Sequence, residues 1–598
     1  MRIHGLFQRN SHKIVRLYDT VRYMSARQWF YRIRNTALRT IPRKSVEVKI
    51  ARYASIQYLF GSQYIDQSSL EIADRVMGNE FPTISGIFPS FSGDIIDWDL
   101  KDGDYRLVCF RLNSFKYLLN LSDAFRATND LKYVQKGLCL IENWNKQCGR
   151  IIKGDKWNPY VIAERIMNWI GFFSTYNNIA NQQIVEWIAS QAIELKRMIE
   201  YQMGANHLLS EAKALMYVGV FLNDNKLFAF GKKILEKEFH TQFLSDGGNY
   251  ERSISYHVEA LQQYFEVTML MYDIKDEDFE AFREMLIKPY VFLNSMIGAD
   301  GKIPLINDSA YDYPFDACDF LGTSEILFGI VSPHGIKGSY SSRWRKVEGS
   351  PINFSWITDS YHDATGFLLE KYRVDSNEYS LFFDTGDIGA DINPGHSHAD
   401  SLNILWSDNG KPILVDSGVF TYKPGDERNK CRGTSAHNTI EVDNTDSSEV
   451  WSAFRVGKRA RSTVRSYENT KDYMEIVAYQ DGYKRILNNP VIHTRRIRLN
   501  KHDGTISIDD LLTGEGTHKA TLRFHFSPDC EVKRIDSKST MIDGKYKLVC
   551  NEPITIEECD IAGFFGRKRK GTCVTANFEM DEKIQISSRI TLEKEGRI

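Results

Sequence analysis

The sequence lacks the marks of several common protein classes. Its nine cysteines are odd in number and form no CxxC pair, which argues against a disulfide framework and reads as reduced thiols in a reducing compartment. Net charge is nearly absent, −2 over 598 residues, so no global field draws the chain to nucleic acid. No apolar run is long enough to span a membrane. Residues 1–10 lack the unbroken apolar stretch and small-residue cleavage site of a secretory signal. A cytoplasmic protein is the expectation. Missing too are a GxxxxGK[ST] loop, a GxGxxG turn after a strand and a GxSxG elbow, which removes the common nucleotide-binding and serine-hydrolase readings.

What is present suits a large enzyme. Hydrophobic residues make up 42% and aromatics 12%, enough for well-buried cores, and the length calls for two or three domains. Residues 1–50 are conspicuously basic, with Arg22, Arg27, Arg32, Arg34, Arg39 and Arg43 among twelve Lys and Arg against Asp19 and Glu47. Ile14, Leu17, Val21, Trp29, Phe30 and Ile33 recur among them at nearly helical spacing. Peripheral contact with an anionic membrane surface is one reading. A helix packed on the main body with a solvated basic face is the more common outcome. This segment lies far in sequence from every candidate site residue and is expected to be dispensable for chemistry.

From about 95 to 340 the pattern is helical, as in Val161–Tyr176, Gln183–Gln202, Ser210–Leu222 and Ile254–Tyr272, with short polar breaks that suit antiparallel helical hairpins. After about 350 it changes to short alternating runs, among them Phe367–Arg373, Tyr379–Asp384, Leu402–Trp406 and Ile492–Leu499, which read as antiparallel sheets packed in a sandwich. The expected organisation is a multidomain α+β chain: a basic extension over 1–94, a helical domain over 95–345 and a β-sandwich over 346–598.

Chemistry concentrates near the start of the β region. Three of the 14 histidines, His396, His398 and His437, fall within 42 residues, together with Asp400 and Asp416. On an extended backbone His396 and His398 point to the same side. Two imidazoles and a carboxylate are what a zinc site takes, and a spare histidine is a candidate acid or base. In the helical region, Asn206 and His207 precede an apolar-periodic run. Asn206 reads as a helix cap or a ligand-facing donor, and Ser210 as a second possible cap. Tyr256 stands near Arg252 and His257 in sequence, which would lower a phenol below its usual value of about 10; judged alone it is equally an ordinary half-buried tyrosine. Ile306-Asn307-Asp308-Ser309 could line a cleft, whereas Trp157 and Trp169 at helical spacing fit a core.

Gly-His-Ser-His-Ala-Asp at 395–400, Val-Asp-Ser-Gly at 415–418, Arg-Gly-Thr-Ser-Ala-His-Asn-Thr at 432–439 and Glu-Arg-Ser-Ile-Ser-Tyr-His at 251–257 together resemble the heparinase II/III-type polysaccharide lyases. The resemblance spans roughly 95–550 and implies an incomplete (α/α) toroid followed by an antiparallel β-sandwich. It implies cleavage of an anionic, uronic-acid-containing polysaccharide by β-elimination. Tyr256 then matches the general base and acid, His396 the sandwich-side catalytic histidine, and Asn206 the residue that neutralises the substrate carboxylate, with His207 as its neighbour in that role. His398, Asp416 and His437 match the ligands of a zinc ion of structural rather than chemical importance. Arg252 and Arg432 are candidate substrate contacts. The alternatives are a hydrolase on the same toroid, using carboxylates such as Asp246, Glu251 and Asp308, and a non-catalytic glycan-binding scaffold in surface-polysaccharide biosynthesis.

Overall fold

A computed structural model describes residues 15–49, 65, 67–83, 88–93, 95–100, 106–175 and 181–593. The helical body is built from long helices joined by short turns. Two of them, Ala205–Phe221 and Ile254–Ile274, are buried nearly all round. A helix apolar on every side must lie inside others, and these two form the inner wall. Ser253 caps the second, accepting from the Tyr256 N–H, and Lys275 ends it in a left-handed turn. Pro159–Thr175, Gln182–Met198 and Asn225–Gln242 pack around them in one continuous apolar core. Gln67–Met77 belongs to this body as well, through Ala73 and Val76 in the core and a Ser69 Oγ–Asp123 Oδ2 hydrogen bond of 2.7 Å.

The second half is an antiparallel sheet domain, 15 strands joined in one hydrogen-bonded sheet among the described residues. Two long strands, Ile506–Phe526 and Arg567–Leu592, pair from Ile506↔Ile590 to Phe526↔Thr572 and are offset once, between Thr513 and Thr517. The extra residues at that offset bend the ladder. The hairpin Phe367–Val374/Asn377–Asp384 and the hairpin Tyr473–Gln480/Val491–Asn500 then enclose a common core that includes Leu368, Leu381, Ile476 and Ile497. The fold is therefore an incomplete (α/α) toroid followed by an antiparallel β domain, as the resemblance implies. The nine cysteines are free, and no described helix is long and apolar enough to cross a membrane.

The two halves are clamped together. The Arg252 guanidinium donates to the carbonyls of Thr365, Gly389 and Ala364. Asp246 accepts from Thr365 N at 2.7 Å and Thr365 Oγ1 at 2.9 Å.

The basic N-terminal segment forms a helix, Ala26–Thr40, capped by Ser25, and it packs with its polar side inward. Asn35 donates to the carbonyls of Met198 and Ile199, while Arg39 and Arg43 pair with Glu200 and Glu194. Phe30 and Ile33 are 61% and 66% exposed.

Candidate active site

Tyr256 occupies the first turn of helix Ile254–Ile274 and points at the β domain. Its ring stacks on His396, with centroids 3.6 Å apart and planes 23° from parallel. Its hydroxyl lies 3.1 Å from that of Tyr422. A cavity of about 590 Å³ begins at Tyr313 and Tyr422 and runs into the helical body past Tyr160, Arg111 and Lys116.

His396 is held from behind. Its Nδ1 lies 2.9 Å from Asp308 Oδ2, and the other Asp308 oxygen lies 2.9 Å from His398 Nε2. Arg428, fully buried, donates to both oxygens of Asp308. Burial alone would raise the Asp308 carboxyl, but Arg428 and the two imidazoles hold it well below the usual carboxylate range. With Nδ1 directed to Asp308, the His396 Nε2 is left as the free ring nitrogen. Burial lowers the imidazole despite the pull of Asp308, so the ring is neutral at ordinary pH.

Asn206 reaches the same region from the neighbouring inner helix. Its Nδ2 donates to Glu259 Oε1 at 3.1 Å, and the Tyr313 hydroxyl donates to Glu259 Oε2 at 2.9 Å. Glu259 lies one turn beyond Tyr256, so a single carboxylate links the amide to the tyrosine cluster. His207 faces the cavity wall by stacking on Tyr160, 4.5 Å between centroids, with Nδ1 2.9 Å from Glu200 Oε2.

Three expectations about local structure change here. Asn206 and Ser210 cap nothing: helix Ala205–Phe221 begins one residue before Asn206, after Gly204 at φ 61° with no side-chain cap. The backbone enters through that left-handed glycine, which places Asn206 inside the first turn and frees its amide. The two cationic sequence neighbours of Tyr256 do not depress its phenol. His257 turns away, its Nε2 3.1 Å from the Pro289 carbonyl, and Arg252 is tied to the carbonyls of the β domain. Burial, then Tyr313, Tyr422, Glu259 and Asp308, push the Tyr256 phenol well above its ordinary value. Arg432 is fully buried behind the 395–400 loop, donating to Ser397 O at 2.9 Å, and Ala399 N donates to its carbonyl.

The structure thus gathers Asn206, His207, Tyr256 and His396 behind the cavity wall, where Asn206 meets Glu259, His207 meets Tyr160 and Tyr256 meets Tyr422 and His396, and places Arg252 and Arg432 in the framework around them. Sequence reasoning missed Glu259, Tyr313, Tyr422 and Arg428. Of these only Glu259 carried a signal, its i+3 spacing from Tyr256 on one helix face.

The expected metal ligands are neighbours of a different kind. His437 Nδ1 lies 2.8 Å from Asp416 Oδ2, which also accepts from Asn403 Nδ2, while Asp416 Oδ1 accepts from Gly418 N. The rings of His398 and His437 are 5.4 Å apart. Among the described residues no three His, Cys, Asp or Glu side chains stand as a formed metal site. Left buried without partners are His398 Nδ1, His437 Nε2 and Asp400 Oδ2.

A helical toroid and an antiparallel sheet domain that share a cleft, with a tyrosine from one stacked on a histidine from the other, define a two-domain carbohydrate-active enzyme. Comparison with known proteins identifies which one. The family model for the heparinase II/III N-terminus matches residues 13–314, and that for the heparinase II/III-like C-terminal region matches 364–586. The chain belongs to the heparinase II/III family and is a polysaccharide lyase. A heparin-sulfate lyase of Bacteroides stercoris is 21% identical over 592 residues, covering 89% of this chain and 81% of that protein. One from Pedobacter heparinus is 24% identical over 407 residues, covering 64% and 59%. The crystal structure of heparinase III superposes with a TM-score of 0.69 at 18% identity, covering 93% of this chain and 89% of that one. A heparan sulfate lyase structure from Pedobacter heparinus gives 0.59 at 18%, covering 96% and 88%. At such identities the structures establish the fold.

Proposed function

We propose that this lyase cleaves a uronic-acid-containing glycan by β-elimination, with His396, Tyr256 and Asn206 as its catalytic groups. The observation that carries the reading is the stack of Tyr256 on His396, next to Tyr422 of the cavity wall. It unites a phenol that holds its proton with an imidazole whose Nε2 is free. The proton α to a uronate carboxylate is barely acidic, because its loss puts a second negative charge beside the first. An amide donor aimed at the carboxylate stabilises the enolate that forms, and Asn206, oriented by Glu259, supplies one. His396 Nε2 then accepts the α proton, and the Tyr256 hydroxyl donates to the departing oxygen. Where proton and leaving group share one face, Tyr256 in its deprotonated form takes the α proton and returns it to the departing oxygen.

A hydrolase would need two carboxylates flanking the bond. Two of the three carboxylates considered for that role are engaged elsewhere: Asp246 holds Thr365, and Asp308 holds two imidazoles and Arg428.

Zinc is part of the proposal. His398 Nδ1, His437 Nε2 and a carboxylate oxygen of Asp400 suit its preference for nitrogen and oxygen donors. Asp400 replaces the expected Asp416 as the carboxylate with an oxygen to offer, and Asp416 orients His437 instead. When bound, the ion would brace the 395–400 and 434–437 loops. The chemistry of the elimination stays with His396, Tyr256 and Asn206.

The test is to incubate the protein with a panel of uronic-acid glycans and follow the ultraviolet absorbance of an unsaturated uronate. Reducing ends that appear without the chromophore would overturn elimination in favour of hydrolysis.

A further inference from the structure

Arg428 lies at the junction of the groups assigned above, yet none of the proposed steps uses it. It sits on the short helix Asp426–Arg432 with no exposed surface, so it cannot meet the glycan. All of its guanidinium nitrogens are committed. Nη1 and Nη2 donate to the two oxygens of Asp308, and Nε donates to the Ala453 carbonyl at 2.9 Å. The flat group also lies against two rings, 5.0 Å from the centroid of Tyr422 and 5.3 Å from that of Phe454.

Each of these partners leads to a reacting group. Asp308 holds His396 twice, through the imidazole Nδ1 and through the bond from its own N–H to the His396 carbonyl at 3.0 Å. Tyr422 meets Tyr256 hydroxyl to hydroxyl. Phe454 packs edge-on against the His396 ring, with centroids 5.9 Å apart and planes at 75°. It stands at the tip of the hairpin Val450–Trp451/Arg455–Val456, where Ser452 and Ala453 are both left-handed, at φ 47° and 57°. Neither is glycine, so such a turn persists only with support from outside. The Arg428 bond to the Ala453 carbonyl supplies it.

We infer that Arg428 is a positioning residue that sets the base and the acid of the elimination in one arrangement. This rests on the lyase reading above. Charge alone would keep Asp308 ionised between its two imidazoles, and a lysine could provide that. The planar fork does more. It fixes both carboxylate oxygens, and with them the direction in which His396 Nε2 points. The same plane, resting on Tyr422, fixes the phenol that faces the Tyr256 hydroxyl. One buried side chain thereby holds both members of a stack whose rings come from different domains.

The test is Arg428→Lys, which keeps the charge and removes the fork, and it has two readouts. The first is the Nδ1 proton of His396 in substrate-free protein carrying isotope-labelled histidine, identified by the loss of its resonance in His396→Ala. That proton should lie far downfield in the parent, and should move upfield or exchange with water in Arg428→Lys. The second is turnover of a cleaved glycan. The variant should lower kcat by about 10–10²-fold, the cost of misplacing a reacting group. KM should stay within about 2-fold, because no contact with the glycan is lost. A merely structural arginine predicts an unmoved proton and full turnover below the melting transition. Either result in the folded variant overturns the proposal, as does a rise in KM that accounts for the whole loss. If Arg428→Lys does not fold, Phe454→Leu decides instead, since that side chain is 42% exposed and its loss strands no buried charge. Its kcat should fall by about 3-fold or more at constant KM, and a parent-like kcat overturns the proposal. Failure of the lyase reading shows separately, as an Arg428-dependent His396 proton in a protein that forms no unsaturated product from any glycan.

Discussion

At the residue scale, the proposed chemistry depends on side chains that meet from distant parts of the chain. Tyr256→Phe removes one hydroxyl and leaves the ring to stack on His396. It should keep the fold and glycan binding while lowering turnover by about 10²–10⁴-fold, the usual worth of a positioned acid or base. Asn206→Ala should cost about 10²–10³-fold by leaving the enolate without its donor. Both are read as the rate of unsaturated product after circular dichroism has confirmed folding. Near-wild-type turnover in Tyr256→Phe would remove the phenol from the mechanism and leave His396 alone. The proposed metal has its own readout. Purified protein should hold about one equivalent of zinc, as a structural site of this kind does, and His398→Ala should lose it and melt earlier. Stoichiometric zinc in a variant lacking both His398 and His437 would rule the site out.

Legibility at this scale followed sequence distance. The 395–400 motif was readable because its histidines are contiguous and alternate. Arg428 was not, since a run of Asp, Glu, Arg, Asn, Lys, Cys and Arg at 426–432 reads as a solvated helix, yet its Arg428 is fully buried on Asp308. Tyr256 misled through its neighbours. His257 lies about 100° further round the helix, and Arg252 precedes the cap at φ 54°, so neither reaches the phenol.

At the scale of elements, the long helices and most strands were legible because period 3.6 and period 2 persist over many residues. Ile254–Ile274 shows this, and so does Tyr473–Gln480 with its strict alternation of burial. The two longest strands were not recognised as single units, because the offset at Thr513–Thr517 interrupts the alternation. The helix Ala26–Thr40 had the right period and the wrong orientation. Its apolar stripe suggested packing inward, but Asn35 and Arg39 outbid it with hydrogen bonds to a carbonyl-rich turn and a buried carboxylate. Trp29, Phe30 and Ile33 consequently face outward beside Arg32. Such a face suits an anionic lipid surface. The protein should co-sediment with phosphatidylserine vesicles at low salt, and Phe30→Ser with Ile33→Ser should abolish this. If the wild-type protein ignores the vesicles, the outward stripe has no membrane role.

At the scale of the whole molecule, the cleft depends on how the toroid and the sheet domain sit against each other, and the N-terminal segment touches both. On the toroid side, Arg39 pairs with Glu200, whose other oxygen holds His207 beside Asn206. On the sheet side, Thr20 accepts from Trp451 Nε1 at 3.2 Å, and Tyr23 lies under Arg459, 3.9 Å from guanidinium to ring centroid. Arg459 in turn donates to the carbonyl of Asp391 at 2.7 Å. Asp391 begins the loop that leads to His396, and Asn393 of that loop donates across to the Met203 carbonyl. One short segment therefore supports the loops that carry Asn206 and His396 from opposite sides. These contacts argue against the dispensability expected from sequence distance alone. Tyr23→Ala with Arg39→Ala should leave both domains folded and lower kcat/KM by about 10-fold or more, since small misplacements of reacting groups cost up to about 10²-fold. Arg39→Lys, which keeps the ion pair with Glu200, should restore much of the activity. A simple loss of stability predicts a different pattern: activity near normal at low temperature and lost only close to the melting point. If the double variant turns over a soluble glycan at the wild-type rate, the segment covers the two domains without positioning them, and the alignment of Tyr256 on His396 rests on the Arg252 and Asp246 clamps alone.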